Sequence, residues 1–250
     1  MLRSLAWAGL GTGFIFLMTT LGAAVVFFFA GEIKLRCQSA MMGFAAGVML
    51  AASVWSMLIP AMERAGNLGI SPAWLPAALG IAAGMAFLML MDALIARHDR
   101  GGTDALATPL LVTAITVHNI PEGMAVGLAF ALAARGEALP GALALALGIG
   151  VQNLPEGAAV SLPLRQLGMT RSRAFWTGVL SGAVEPLFGL LAVLAAAGVQ
   201  SAMPWLLSFS AGAMLYVVKH ELIPAAPGRA GTFGFFGGFL LMLILDVALG

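Results

Sequence analysis

Two short polar strings interrupt long apolar stretches of this 250-residue chain. The first runs His118-Asn119-Ile120-Pro121-Glu122-Gly123, and the second, 34 positions later, runs Gln152-Asn153-Leu154-Pro155-Glu156-Gly157. A carboxylate inside a membrane segment is energetically unfavourable and is seldom retained without a function. The two glutamates therefore mark the candidate functional site.

Each string would present its polar groups on one side of a helix. Residues three and four positions apart share a helix face, so the imidazole, carboxamide and carboxylate of the first string point the same way. The second string has a carboxamide in place of the imidazole. Each proline removes a backbone N–H and frees an earlier carbonyl, which predicts a kink in both helices. The glycine after each glutamate permits close approach of another helix.

This set of groups is suited to binding a cation. Two facing carboxylates repel each other, and one stays protonated unless a cation lies between them. Imidazole, carboxylate and amide oxygen form a ligand set suited to Zn²⁺, Mn²⁺, Fe²⁺ or Co²⁺. Two bridging glutamates could hold two ions close together. The structural alternative is that the prolines only shape the helices and the amides only hydrogen-bond between them.

Composition places the chain among polytopic membrane proteins. Hydrophobic residues make up 61% of the sequence and charged residues 9%, with a mean hydropathy of +1.00. A soluble domain of this length would carry far more charge. The single cysteine, Cys37, excludes a disulfide framework and a thiolate zinc site. The formal net charge of +1 gives no support for nucleic-acid binding.

The predicted fold is all-helical, with eight transmembrane helices in one domain. Eight apolar runs are long enough to cross a bilayer, and none alternates as a barrel strand does. The first is interpreted as a span, not as a signal peptide, because it is too long and lacks a clear cleavage site. The runs are approximately 5–30, 40–60, 73–96, 108–133, 140–164, 174–198, 203–224 and 231–249.

Basic residues predict the orientation, because they concentrate in cytoplasmic connections. One side holds nine of them, or eight if Lys219 lies inside the seventh helix: Lys34, Arg36, Arg97, Arg100, Arg165, Arg171, Arg173, Lys219 and Arg229. The other side holds three, which are Arg3, Arg64 and Arg135. Both termini are therefore expected on the non-cytoplasmic side.

Two pairs of segments within the chain have similar sequences. The sequence from Asn119 matches that from Asn153, and Phe44–Leu50 matches Phe209–Leu215, with Leu-Ile-Pro following in both copies of the second match. The fourth and fifth helices are antiparallel, as are the second and seventh, so both matches describe an inverted repeat of three, two and three helices. Inverted repeats with a binding site at the membrane midplane are typical of transporters.

Further ionisable residues lie in or near the apolar runs. Glu185, before Pro186 in the sixth run, is the candidate third carboxylate. His220 and Glu221 close the seventh run and either line an exit or form a solvated helix end. Asp246 belongs either to a pathway or to the membrane interface, while Asp92 is interpreted as an interface charge.

These motifs closely resemble those of the ZIP (Zrt/Irt-like) metal transporters, and the bacterial GufA-type branch is the most similar. The matching segments are Thr116–Gly127, Gln152–Gly157, Ser181–Pro186 and His220–Pro224. The resemblance implies uptake of Zn²⁺, or of Cd²⁺, Fe²⁺, Mn²⁺ or Co²⁺, across a bacterial inner membrane. The expected partners are these ions and membrane lipid. No nucleic acid and no prosthetic group are expected, and the sequence does not decide between a monomer and a homodimer.

The resemblance also implies particular roles for residues. One metal position would use Met49, His118, Glu122, Gln152 and Glu156, and the second would use Asn119, Glu122, Asn153, Glu156 and Glu185. His220, Glu221 and Asp246 would lie on the cytoplasmic release route. The family is thought to work by alternating access, with helices 1, 4, 5 and 6 sliding against 2, 3, 7 and 8. Asn153 departs from relatives that carry an acid there, and the histidine-rich loop between helices 3 and 4 is reduced to His98.

Two other functions compete with transport. An intramembrane metal-dependent hydrolase would need an open coordination position and a general base, and the sequence has no His-Glu-x-x-His motif. A metal sensor without transport would need a soluble signalling surface, which the eight predicted runs leave little chain to form. No phosphate-binding loop supports coupling to ATP.

Overall fold

The computed structural model describes residues 2–28, 34–98, 107–136, 139–166, 168–197 and 200–249. Within these ranges the chain is helical and contains no strand, which confirms the predicted all-α class. The α-helices are α1 (Leu2–Ala24), α2 (Leu35–Ala52), α3 (Ile59–Asn67), α4 (Trp74–His98), α5 (Ala107–Ala133), α6 (Leu139–Gln166), α7 (Arg171–Gly182), α8 (Val184–Ala197), α9 (Met203–Val217) and α10 (Gly228–Leu249).

Six helical segments in the described ranges are long and apolar enough to cross a membrane. They are Leu2–Phe27, Leu35–Asn67, Trp74–Leu94, Leu139–Leu162, Arg171–Ala195 and Gly228–Ala248. The chain is therefore a multi-pass membrane protein. The fourth predicted span contributes only a shorter apolar helix to this set, Asn119–Ala133, and α9 has 15 residues. Eight crossings stay a prediction.

The segment boundaries follow the predicted runs to within a few residues, except in the second run. There the helix continues past Pro60 to Asn67, so that Glu63 and Arg64, expected in a connection, lie on α3. Pro60 is the second residue of α3, directly after a π-helical turn at Ser53–Leu58. Residues 29–30 and 198, the ends of two predicted runs, lie outside the described residues.

The prolines of the two polar strings cause no break in helical structure, and the predicted kinks there stay a prediction. The helices α5 and α6 run without interruption through Pro121 and Pro155. Two π-helical turns occur instead, at Ser53–Leu58 between α2 and α3 and at Val218–Leu222 after α9. These turns occupy equivalent positions in the repeat, since each ends at the leucine of a Leu-Ile-Pro sequence.

Glycines set the closest helix pairs. A Cβ atom on Gly47 would overlap the α10 backbone, and one on Gly212 would overlap the α4 backbone at Ile81. In the same way Gly157 lies against the α1 backbone at Thr19, and Gly123 against the α8 backbone at Glu185. Four helix pairs result: α2 with α10, α4 with α9, α1 with α6, and α5 with α8.

The four pairs agree with the predicted inverted repeat. Gly47 and Gly212 are equivalent positions in one internal match, and Gly123 and Gly157 are equivalent in the other. Equivalent glycines thus make equivalent contacts, because the pairing of α2 with α10 is matched by that of α9 with α4. The pairing of α5 with α8 is likewise matched by that of α6 with α1.

We expect Gly47→Ala to destabilise the protein. The added methyl group would meet the carbonyl oxygen of Phe235 and the amide of Phe239, both backbone groups that cannot move aside alone. Overpacking of this kind costs about 1–3 kcal/mol. Thermal unfolding in detergent should show a lower midpoint for Gly47→Ala than for Gly237→Ala, whose Cβ would meet no atom within 4 Å. Equal midpoints would contradict the close packing of α2 on α10.

Candidate metal site

The two polar strings lie near the centres of α5 and α6, next to the break between α7 and α8. Asn119, Glu122, Gln152, Asn153 and Glu185 are each no more than 2% exposed. Five polar side chains so fully buried in a membrane protein need partners or a ligand. Their clustering confines the candidate site to the middle of the helix bundle.

A helix break positions Glu185. The α7 helix ends at Gly182, Ala183 lies in a turn, and α8 starts at Val184 with Glu185 in its first turn. Pro186 accounts for the break, because its ring cannot follow a regular α-helical turn and it supplies no N–H to one. The carboxylate therefore projects from an interrupted helix toward α6.

The amide nitrogens of the site all donate hydrogen bonds within the protein. Asn119 Nδ2 donates to the carbonyl oxygen of Ser181 at 3.0 Å, and Gln152 Nε2 donates to Glu122 Oε1 at 2.6 Å. Asn153 Nδ2 donates to Thr19 Oγ1 at 3.0 Å and to Glu185 Oε1 at 3.1 Å. Because acceptors face each nitrogen, these bonds fix which way each amide points.

Five buried oxygens of the same side chains have no hydrogen-bond partner. They are Asn119 Oδ1, Glu122 Oε2, Gln152 Oε1, Asn153 Oδ1 and Glu185 Oε2. The other buried, unpartnered oxygens among the described residues are isolated hydroxyls, those of Thr20, Ser161 and Ser210. A buried oxygen without a donor is destabilising, and five in one cluster fit a divalent cation, which needs oxygen ligands and no donor.

The three central carboxylates interact without meeting at one point. Glu122 lies within electrostatic range of both Glu156 and Glu185. Among the described residues, the carboxylate oxygens of Glu122, Glu156 and Glu185 do not all lie within 4.8 Å of one another. Gln152 instead engages one oxygen of Glu122, while Thr19 and Asn153 engage one oxygen of Glu185.

The remaining two predicted ligands differ in how far the structure describes them. Met49 on α2 is fully buried in the apolar cluster that also contains Ala125 and Ile149, each three residues from a site residue. Met49 thus belongs to the same apolar cluster as residues that flank the polar strings, and its role as a ligand stays a prediction. His118 lies on α5 one turn before Glu122, but its side chain, like that of His98, is outside the described residues.

A second group of ionisable side chains lies where α4 ends and the π-turn after α9 begins. Asp92, His220 and Glu221 each offer a ligand atom, and these atoms lie within 4.8 Å of one another. His220 Nδ1 is 3.9 Å from Asp92 Oδ2 and 3.4 Å from Glu221 Oε1. Tyr216 stacks on the His220 ring at a centroid distance of 5.0 Å and donates a 2.7 Å hydrogen bond to Asp92.

Asp246 is separated from that group, although it was expected on the same release route. The α10 helix starts at Gly228, eight residues after His220 in the sequence, and Asp246 lies 18 residues further on. At 1.5 Å per residue the separation along the helix is about 27 Å. Asp246 accepts from Ser56 Oγ at 2.7 and 2.9 Å, at the opposite end of the bundle. Asp246 therefore has different neighbours from His220 and Glu221, and the roles of all three on a transport route stay predictions.

The Ser56–Asp246 pair lines a cavity of about 330 Å³. Its walls come from α3, α10, the C-terminal part of α5 and the N-terminal part of α6, with Glu63 and Arg64 among the polar side chains. This end of the bundle includes the C-terminal end of α10 and the start of α6. By the distribution of basic residues it is the predicted non-cytoplasmic end.

Sequence reasoning missed three partners of the site residues. Thr19 and the carbonyl group of Ser181 bind site amides, and Asp92 joins the His220 group. A threonine in an apolar helix carries no signal of its own, since its hydroxyl usually bonds back to its own helix. Asp92 could have been paired with His220 from topology, because the third and seventh runs both reach the same side there.

The fold and the candidate site together define a polytopic helical membrane protein with a buried cluster of carboxylate and carboxamide side chains. Residues 97–246 match the family described as ZIP Zinc transporter. The chain is 41% identical to zinc transporter GufA of Myxococcus xanthus, covering 93% of this chain and 94% of the relative. It is 38% identical to zinc transporter ZIPB of Bordetella bronchiseptica (98% and 82%) and 36% identical to human zinc transporter ZIP11 (96% of each). The chain belongs to the ZIP family of zinc transporters.

Family membership decides between the competing functions. The predicted ZIP identity and its GufA-type branch are confirmed, and with them a role in divalent metal transport. The family consists of transporters, so the intramembrane hydrolase alternative is wrong and the protein is not an enzyme.

Proposed function

We propose that this protein takes up Zn²⁺ or a similar divalent ion into the cytoplasm through a binuclear site between α5, α6 and α8. The observation that carries the proposal is the cluster of five buried oxygens without hydrogen-bond donors. The relatives named above are zinc transporters, which supports Zn²⁺ as the ion transported. The same chemistry accepts Cd²⁺, Fe²⁺, Mn²⁺ and Co²⁺, because one ligand set binds these metals in a common order of affinity.

The two proposed metal positions share Glu122 and Glu156. The first would add Met49, His118 and Gln152, and the second would add Asn119, Asn153 and Glu185. The free oxygens divide between the two sets, with Gln152 Oε1 for the first and Asn119 Oδ1, Asn153 Oδ1 and Glu185 Oε2 for the second. A neutral Asn153 lowers the negative charge of the second set, so we expect it to bind more weakly than the first.

Alternating access is supported by how the helix pairs divide. The backbone contacts at glycine join α1 to α6 and α5 to α8 in one group, and α2 to α10 and α4 to α9 in another. Between the groups, Gly148 on α6 faces side-chain atoms of Met242 and Val48 instead of backbone. Side chains can change rotamer, whereas interlocked backbones cannot, so the boundary between the groups is where sliding would occur.

The proposed route runs between the two ends described above. On the non-cytoplasmic side, ions would enter at the cavity lined by Ser56 and Asp246. On the cytoplasmic side, they would leave past Asp92, His220 and Glu221, which supply an imidazole and two carboxylates. In this proposal both termini lie on the non-cytoplasmic side of a bacterial inner membrane.

Uptake by reconstituted protein tests the proposal. We expect proteoliposomes to accumulate radiolabelled Zn²⁺ or Cd²⁺. His118→Ala and Glu156→Ala should each reduce the initial rate at least about tenfold, since loss of a ligand in a site this buried costs more than 1.4 kcal/mol. A competition series across Zn²⁺, Cd²⁺, Mn²⁺ and Fe²⁺ would establish the preference.

The matched control is His98→Ala, which removes a histidine assigned to no metal position. Its uptake should equal that of the wild type. Equal uptake by all three variants and the wild type would overturn the site assignment, and no uptake by any of them above that of empty liposomes would overturn the transport proposal itself.

A further inference from the structure

A hydroxyl from α1 binds the candidate third carboxylate, although α1 supplies no predicted metal ligand. Thr19 is 2% exposed, and its Oγ1 lies 2.8 Å from Glu185 Oε1. Asn153 Nδ2 lies 3.0 Å from the same hydroxyl and 3.1 Å from the same carboxylate oxygen. Side chains from α1, α6 and α8 thus form a closed ring of three hydrogen bonds.

The direction of these bonds leaves two specific oxygens free. An amide N–H can only donate, so Thr19 accepts from Asn153 and has one proton left to donate. Its short contact is with Glu185 Oε1, while the carbonyl oxygen of Ile15 is further away, at 3.3 Å. The ring therefore holds Glu185 by Oε1 and Asn153 by Nδ2. The atoms left without partners are Glu185 Oε2 and Asn153 Oδ1.

The backbone around Thr19 holds it in place. A Cβ atom on Gly157 would overlap the carbonyl oxygen of Thr19, so α6 packs directly on α1 there. A Cβ atom on Gly182 would lie 2.9 Å from Thr19 Cγ2 and 3.3 Å from Glu185 Oε1. Glycines on two sides thus let α1 approach closely enough for a side chain as short as threonine to reach Glu185.

The repeat gives Thr19 a specific place in the architecture. Gly123 and Gly157 are equivalent residues of the two polar strings, and they lie against the carbonyl oxygens of Glu185 and Thr19 respectively. Thr19 therefore occupies on α1 the place that Glu185 occupies on α8. One half of the repeat supplies a carboxylate there, and the other half supplies the hydroxyl that binds it.

We propose that Thr19 is a positioning residue for the second metal position, acting through Glu185 and Asn153. It restrains Glu185 to offer a single oxygen and keeps the Asn153 carbonyl, not its N–H group, directed at the ion. Loss of such an outer partner typically lowers metal affinity about 10–100-fold. This inference rests on the binuclear site proposed above.

The test compares Thr19→Val, which keeps the shape and removes the hydroxyl, with Thr19→Ser, which keeps the hydroxyl. Thr12→Val is the matched control, because Thr12 is equally buried on the same helix and its hydroxyl bonds the carbonyl oxygen of Ala8 at 2.7 Å. Zn²⁺ binding to the full-length protein in detergent is measured by isothermal titration calorimetry. We expect Thr19→Val to weaken, about 10–100-fold, the binding that Glu185→Gln also weakens. Thr19→Ser and Thr12→Val should bind as the wild type does.

A double-mutant cycle separates positioning from a general structural role. If Thr19 acts through Glu185, adding Thr19→Val to Glu185→Gln should cause little further loss, whereas independent effects add. Wild-type binding by Thr19→Val, or full additivity of the two losses, would overturn the inference. The proposed function fails differently: Zn²⁺ binding by wild type would then be absent or unaffected by Glu122→Gln.

Discussion

Replacing Glu122 by glutamine should abolish uptake, with a loss of at least about 100-fold in the initial rate, equivalent to about 3 kcal/mol. Glutamine has nearly the same shape, so the change removes the negative charge and little else. The charge matters because Glu122 belongs to both proposed metal positions. It is also 1% exposed, and water cannot replace a ligand lost there. Glutamine would further place an N–H group where Oε2 has no partner.

Uptake of radiolabelled Zn²⁺ by proteoliposomes measures the effect, with equal reconstitution checked by protein content. Ser161→Ala is the matched control, because it removes another buried oxygen without a hydrogen-bond partner, from outside the cluster. Its uptake should stay within about twofold of wild type, since a lone hydroxyl contributes about 1 kcal/mol or less. If Glu122→Gln transported as well as Ser161→Ala, the central role of the cluster would be refuted.

The sequence identified the residues of the buried polar cluster better than the contacts that orient them. Asn119, Glu122, Asn153 and Glu185 could be identified because polar groups in apolar runs are rare and recur here in one pattern. The hydroxyl of Thr19 could not be, since its role depends on how closely α1 approaches α6. That approach is set by Gly157, one glycine among the 32 in the chain.

Helix irregularities show a similar limit. A proline alone does not predict a helix break: α5 and α6 continue through Pro121 and Pro155, while a break falls beside Pro186. The π-turns at Ser53–Leu58 and Val218–Leu222 each end two residues before a proline, but prolines elsewhere lie in uninterrupted helix, so the proline alone does not predict them. What predicts them is their equivalence in the repeat, which becomes visible only when the two copies are compared. Such turns are frequent at functional sites, and the second of these contains His220 and Glu221.

The two halves of the repeat have matching helix contacts but different side chains at the candidate site. Equivalent glycines hold equivalent helix pairs in the two halves of the repeat. The side chains differ, since the first string has His118 where the second has Gln152, and α8 has Glu185 where α1 has Thr19. Under the proposed function, matched helix pairs would support the two conformations of alternating access, while unequal side chains would give the two proposed metal positions different affinities.

Gly148→Val should block transport while leaving metal binding intact. Gly148 lies on α6 at the boundary between the two helix groups, where a Cβ atom would meet Met242 Sδ and, at 3.5 Å, Val48 Cγ1. Both contacts are side-chain atoms, and the Met242 side chain is flexible enough to shift, so the fold should tolerate the change. Sliding of α6 past α2 and α10 would have to carry the added methyl groups across those side chains. We expect the initial rate of Zn²⁺ uptake to fall at least about tenfold, a barrier increase of about 1.4 kcal/mol.

Equilibrium binding distinguishes this effect from damage to the site. Zn²⁺ affinity in detergent should stay within about threefold of wild type, a difference below 1 kcal/mol, because Gly148 lies one helical turn away from Gln152 and supplies no ligand. Gly13→Val is the matched control: it makes the same change on α1 at a position where a Cβ atom would meet nothing within 4 Å, and it should transport normally. Normal uptake by Gly148→Val would contradict sliding at this boundary. Parallel loss of binding and uptake would instead place the damage in the metal site, because a variant that only impedes movement still binds the ion from whichever side its site remains open.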